Sequence, residues 1–183
     1  VQDQLDTLAA FSAEAGEPAR TIAFGTSMGG LVSSLIAETP QSGVDGAVST
    51  CGLLGGGINL NNYQLDGLHA LAELLLPGQE VQLTGFRTAE EAGVTINALM
   101  GAVQQAQATP EGRARLALAA ALMNTPTWFS GDTAPDRKDY AAQQEAQYNW
   151  LLQTIPFVVG SRVSIVQAAD GDSGWNQGGD YGS

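Results

Sequence analysis

Residues 21–38, Thr-Ile-Ala-Phe-Gly-Thr-Ser-Met-Gly-Gly-Leu-Val-Ser-Ser-Leu-Ile-Ala-Glu, decide the fold of this chain. The β-branched and aromatic run at 20–24 predicts a buried strand. A glycine-rich turn follows, and apolar residues then recur at helical spacing from Leu31 to Ile36. The order of strand, tight turn and helix is typical of an α/β fold with a parallel sheet.

The sequence on either side of this stretch extends the same pattern. Residues 1–16 predict an amphipathic helix that ends at Gly16, and residues 46–50 predict a second strand. Two strands joined by a helix pair in parallel through a right-handed crossover. The fold class expected from the sequence is therefore α/β, with two predicted parallel strands.

The turn carries the motif Gly-x-Ser-x-Gly at residues 25–29. A serine on a tight turn from strand to helix is held in a strained backbone conformation, and its oxygen projects from the edge of the sheet. We expect glycine to be needed at both Gly25 and Gly29, because a side chain there would clash with the neighbouring strand or helix. The N–H of Met28, at the positive end of the next helix, is placed to stabilise an oxyanion.

Residues 21–30 resemble the nucleophile elbow of α/β-hydrolases, which is commonly a β-run ending in Gly-His-Ser-Met-Gly-Gly; Thr26 stands in place of the histidine. Residues 112–122 and 175–181 also resemble secreted actinomycete hydrolases with a helical lid. The resemblance implies that Ser27 is a nucleophile, that Met28 donates its N–H to the oxyanion, and that neither a cofactor nor a metal is required.

The resemblance also implies a domain organisation. Residues 1–51 would form part of the hydrolase core with the elbow, residues 52–165 a helical lid, and residues 166–183 a loop or tail that leads to further core strands. The glycine-rich run 52–57 is interpreted as a flexible hinge into the lid. Helical periods without strand signals predict four lid helices, around Leu65–Leu75, Ala89–Gln107, Glu111–Met123 and Lys138–Gln153.

Candidate substrate-binding residues lie in two places. Thr26, Cys51, Gly52 and Leu53 are expected at the carboxyl edge of the sheet, where ligands bind in α/β folds. Cys51 is expected to be a small buried residue rather than a nucleophile. The other candidates are aromatic and could line an acyl or aryl pocket or form the lid's own core: Trp128, Phe129, Trp150 and Phe157.

A serine nucleophile needs a histidine base and a carboxylate, and neither is evident. His69 is the only histidine, and because it falls within a helical period we expect it on a helix surface or in the core of the lid rather than as the base. Asp45 precedes the second strand and is interpreted as a turn residue. The acidic residues of the glycine-rich end, Asp170, Asp172 and Asp180, lack the spacing of a calcium loop.

Composition excludes several function classes. A formal charge of −12 disfavours nucleic acid and anionic lipid partners. One cysteine and one histidine nearly exclude a zinc site within the chain. The sequence contains no run of 18 apolar residues, so we expect no membrane span. A low lysine content together with the resemblance favours a secreted, extracellular protein from a bacterium.

The expected function is that of a serine hydrolase, carboxylesterase-like or lipase-like, that cleaves an ester or related carbonyl substrate through an acyl-enzyme on Ser27. Base and acid would come from a second polypeptide that supplies the remaining strands, either as a heteromeric partner or as a product of proteolytic processing. A peptidase, an acyltransferase on the same fold and a catalytically inactive binding protein remain as alternatives.

Overall fold

The computed structural model describes residues 1–129 and 131–172. The chain is mixed α/β and mostly helical, and contacts divide it into two compact units, Val1–Leu60 and the residues from Asn61 onward. The elements in chain order are α1 Gln2–Ala15, β1 Ile22–Thr26, α2 Met28–Glu38, β2 Gly46–Thr50, α3 Gly56–Leu75, α4 Ala89–Gln107, α5 Pro110–Leu122 and α6 Tyr140–Ala169.

The first unit is built on two parallel strands, β1 and β2, paired from Ile22↔Gly46 to Thr26↔Thr50. Helix α2 connects the strands and packs on both of them. The parallel pair is as predicted, but β1 runs to Thr26 instead of ending at residue 24, because Thr26 still has a strand partner in Thr50. The start of the sheet is fixed by Asp45, whose carboxylate accepts the Thr21 N–H at 2.6 Å.

One face of this small sheet is apolar and uncovered by the described residues. Phe24 and Val48 are cross-strand partners and are 71% and 47% exposed. Ile22, two residues before Phe24 on the same strand, is exposed as well. Parallel sheets are normally covered on both faces, because their strands are apolar throughout.

The second unit has the larger apolar core. Helices α4, α5 and α6 pack against one another, and side chains from α3 and from the segment before α4 join them. The fully buried members include Leu71, Phe86, Leu99, Leu116 and Ile155. The described residues beyond Thr50 contain no strand, which agrees with the prediction of helices for this part of the chain.

Side-chain caps set the starts of α4 and α5. Thr88 precedes α4 and accepts the Glu91 N–H, while the Glu91 carboxylate accepts the Arg87 N–H at 2.8 Å. Thr109 accepts the Gly112 N–H, and Pro110 occupies the first position of α5. Because caps satisfy N–H groups that have no partner within the helix, these boundaries are encoded locally.

Two helices are longer than their sequence periods predict. Helix α3 begins at Gly56, so the proposed hinge at residues 52–57 is partly helix. Helix α6 continues through Pro156 to Ala169, so residues 166–169 are helix and not tail. Core burial of residues beyond Pro156 stabilises the extension of α6, and the hydrogen bond from Arg162 to the Asn61 carbonyl holds the early part of α3. Asp180 and the stretch 175–181 lie outside the described residues.

Helix α6 is also the one helix of the described residues that is long and apolar enough to cross a membrane. Its buried side chains Leu151, Ile155, Val158 and Val159 belong to the core of the second unit. A core helix of a globular protein can have the same length and composition, but only 28% of the apolar window of α6 is buried among the described residues, so packing accounts for part of its apolar character.

A buried arginine links α6 to α3. Arg162 is 2% exposed, and its guanidinium donates to the Asn61 carbonyl at 2.7 Å. Burial lowers the pKa of Arg162, and the nearby Asp172 carboxylate opposes this shift. A charge in such a place is costly unless it is paired and hydrogen-bonded, so these contacts fix the end of α6 against α3.

Replacing Arg162 with Met is expected to lower the free energy of unfolding by about 3 kcal/mol, because the Asn61 carbonyl loses its donor. Urea denaturation of the intact protein measures the change. Arg137→Met is the matched control, since Arg137 is exposed; we expect it to change stability by less than about 0.5 kcal/mol. Equal stability of the two variants would contradict the assignment.

Candidate active site

Ser27 lies between β1 and α2 with φ 57° and ψ −121°. This is a left-handed backbone conformation that non-glycine residues adopt rarely and at a cost of about 1–3 kcal/mol. The side chain is exposed and makes no capping hydrogen bond to the helix. The predicted strained turn is confirmed, and the hydroxyl is left available for chemistry.

Backbone hydrogen bonds hold Ser27 on both sides. Its carbonyl accepts the N–H groups of Gly30 and Leu31, at 2.9 and 3.2 Å, and so begins α2. Its own N–H donates across the sheet to the Thr50 carbonyl at 3.0 Å. The serine is therefore fixed to the carboxyl ends of both strands.

The steric demand for glycine differs between the two motif positions. A Cβ on Gly25 would lie 1.9 Å from the Gly29 carbonyl oxygen, which no backbone can tolerate. A Cβ on Gly29 would meet nothing within 4 Å among the described residues, so the expectation of a clash there is wrong. The second crowded position is Gly30, where a Cβ would lie 2.8 Å from the Gly52 Cα.

Met28 is the first residue of α2, and its side chain is exposed. The hydrogen bonds among the described residues include none from its backbone N–H. A free N–H at the positive end of a helix can bind a developing negative charge. The geometry fits the oxyanion role expected for Met28, which stays a prediction.

The other sheet-edge candidates lie around the end of β2. The hydroxyls of Thr26 and Thr50 are 2.7 Å apart. Cys51 follows with φ 48° and an exposed thiol, so the expectation that it is buried is wrong; the turn carries it past the end of the strand. Gly52 is crowded by the Ser49 hydroxyl, and the Leu53 carbonyl accepts the Gly56 N–H.

The structure brings neither a base nor an acid to Ser27 within the first unit. His69 is exposed on α3 in the second unit, and no other histidine exists in the chain. Asp45 exchanges hydrogen bonds with Thr21 at the opposite end of the strands, as its role as a turn residue requires. No cluster among the described residues could hold a metal ion.

The aromatic candidates separate into a loop cluster and an isolated ring. Phe129 and Trp150 meet edge-on with ring centroids 5.3 Å apart. The indole N–H groups of Trp150 and Trp128 donate to the carbonyls of Trp128 and Asp132. These bonds favour a structural role for the cluster in its loop. Phe157 is 72% exposed and is not part of the hydrophobic core of the described residues.

Sequence reasoning missed a cleft of about 710 Å³ in the first unit. It lies between α1 and the β1–α2 layer, and its lining includes Leu8, Phe11, Phe24, Met28 and Gly29. Helix α1 has no buried residue, so its apolar stripe faces this space without filling it.

Comparisons with known proteins give one similarity to report. The chain is 30% identical over 197 residues to the protein named o-phthalyl amidase of Xanthobacter agilis. The match covers 97% of this chain and 42% of that protein, so the chain spans less than half the length of this relative. No family model matches the chain, and no solved structure matches it.

Proposed function

We propose that this chain carries the nucleophile of a serine hydrolase with an α/β-hydrolase core. The observation that supports it most is Ser27, whose exposed hydroxyl makes no capping hydrogen bond to the helix and sits on a strained turn between a parallel strand and a helix. Strain of this kind persists only where the surroundings enforce it, and it is concentrated at functional sites.

The reaction follows from the atoms at the turn. The Ser27 oxygen attacks the substrate carbonyl carbon while its proton passes to a histidine base. The Met28 N–H stabilises the oxyanion, the base returns the proton to the leaving amine or alcohol, and an acyl-enzyme ester forms. Water then attacks this ester, releasing the acid and restoring the Ser27 hydroxyl.

The similarity to a protein named an amidase extends the proposed substrates from esters to amides. We therefore propose acyl compounds with an aromatic acid part, such as phthalyl amides and benzoyl esters, as the first to be tried. Apolar residues lining the cleft beside Met28 are compatible with such a group.

Base and acid are proposed to come from polypeptide beyond the described residues. Both outer edges of the β1–β2 pair lack a strand partner among these residues, and the apolar face around Phe24 and Val48 needs cover. A segment that adds strands there would complete the sheet and bring a histidine and a carboxylate toward Ser27.

If further polypeptide covers the apolar face of the sheet, Val48→Lys should destabilise the protein. In the intact protein we expect a loss of about 3 kcal/mol in the free energy of unfolding, because a covered ammonium cannot be solvated. Val94→Lys on α4 is the matched control, since Val94 is also exposed in this chain. Urea denaturation with no difference between the two variants would contradict a covered sheet.

A fluorophosphonate probe tests the proposed function directly. The intact protein should take up one probe per chain, and peptide mass spectrometry should locate the adduct on Ser27. An unreactive protein would favour the binding-protein alternative. Turnover of a phthalyl amide or benzoyl ester with and without added alcohol then separates hydrolysis from acyl transfer, since only a transferase forms the new ester in preference to the acid.

A further inference from the structure

We propose that Thr50 is the positioning residue for the Ser27 nucleophile, an inference that rests on the proposed function. Thr50 is the last residue of β2 and contacts three consecutive residues of the turn. Its carbonyl accepts the Ser27 N–H at 3.0 Å, its hydroxyl lies 2.7 Å from the Thr26 hydroxyl, and the same hydroxyl donates to the Gly25 carbonyl at 3.4 Å.

These contacts join Thr50 to the turn at three points. The Thr50 and Thr26 hydroxyls are 2.7 Å apart, and either oxygen can be the donor; the contact from the Thr50 hydroxyl to the Gly25 carbonyl is longer, at 3.4 Å. The hydroxyl therefore ties down the two residues before Ser27, while the backbone carbonyl of the same residue ties down Ser27 itself. Three bonds from one residue hold the turn against the second strand.

A strained residue needs such support. With φ at 57°, Ser27 would relax toward ordinary backbone geometry if its neighbours were free to move. The bonds to residues 25 and 26 prevent rotation just ahead of it. Loss of the Thr50 hydroxyl would leave the main-chain bond to Ser27 but would free residues 25 and 26, which lead into the turn. The attacking oxygen would then move away from its reactive position.

The expected consequence is a slower attack with unchanged binding. A displacement of about 1 Å at a reacting atom can cost on the order of 100-fold in rate. Thr50→Val keeps the branched shape and removes only the hydroxyl, and we expect fluorophosphonate labelling of the intact protein to slow by about 10- to 100-fold. For an ester substrate, kcat should fall by a similar factor while KM stays constant.

Three further variants separate positioning from general stability. Thr50→Ser keeps the hydroxyl and should restore labelling to within about threefold. Thr26→Val removes the same bond from the other side and leaves β2 intact, so it should reproduce part of the loss. Thr39→Val is the control, because the Thr39 hydroxyl bonds to the Leu35 carbonyl at the far end of α2; its labelling rate should equal that of the wild type.

The outcomes are distinct. Labelling of Thr50→Val at the wild-type rate overturns the inference while leaving the proposed function intact. Equal losses for Thr50→Ser and Thr50→Val also overturn it, since the hydroxyl would not be the cause. If Thr50→Val does not fold, as judged by its thermal transition, Thr26→Val decides, and a wild-type rate for that variant overturns it. A wild-type protein that does not react overturns both proposals.

Discussion

Replacing Ser27 with Ala is expected to abolish probe labelling and to lower kcat for an ester or amide by roughly 10⁶-fold. The covalent intermediate forms on the Ser27 oxygen, and no other group can take over the attack once that oxygen is removed. Binding should survive, because the cleft beside the turn keeps its lining. Initial rates and isothermal calorimetry with a substrate analogue measure the two effects separately.

Ser34→Ala is the matched control for this experiment. Ser34 lies in α2, seven residues beyond Ser27, and is partly buried. We expect its rates to equal those of the wild type. A Ser27→Ala protein that keeps a tenth or more of wild-type turnover would refute Ser27 as nucleophile, and the strained turn would then need another explanation.

Replacing Gly25 with Ala should have the largest effect on the turn itself. The new Cβ would lie 1.9 Å from the Gly29 carbonyl oxygen and 2.2 Å from its carbon. Both atoms belong to the backbone of α2, so the helix must move away from β1. We expect a loss of about 3 kcal/mol or more in the free energy of unfolding, at the upper end of overpacking effects, together with loss of probe labelling.

Gly29→Ala is the comparison, because it adds the same methyl group at the symmetric place in the motif. The described residues leave that position open. We expect stability within about 1 kcal/mol of the wild type and a labelling rate that is largely retained. Equal damage from both substitutions would contradict the account of the turn given by these contacts.

The bounds of elements that are set by neighbouring residues could be predicted closely from the sequence. The second strand spans Gly46–Thr50 and α4 spans Ala89–Gln107, both as expected. Helix α4 begins at the Thr88 cap, and β2 begins directly after the Asp45 turn. Such signals act over a few residues, so they are visible without the tertiary structure.

Features that depend on distant contacts could not be predicted. The start of α3 at Gly56 runs against the low helix propensity of glycine, and burial of Asn61 against Arg162 outweighs it. The path of α6 through Pro156 follows from core burial on both sides of the proline. These partners are about a hundred residues apart in sequence, which no local pattern reveals.

The candidate site divides in the same way. The strained geometry of Ser27 could be predicted because its turn lies within six residues of sequence. The exposure of Cys51 could not, because it depends on a left-handed residue after β2 that no glycine announces. The contacts of Thr50 with the turn could not be predicted either, because their hydrogen bonds cross from one strand to the other.

The exposed thiol of Cys51 provides a site for attaching a probe near the Ser27 turn. It is the only cysteine in the chain and follows Thr50 directly, so a maleimide fluorophore would attach to this chain at a single position. Its emission would report substrate arrival and departure near the turn without any change to Ser27. The same thiol also makes storage without reductant unwise, because oxidative cross-linking of two molecules would start at the edge where chemistry is proposed.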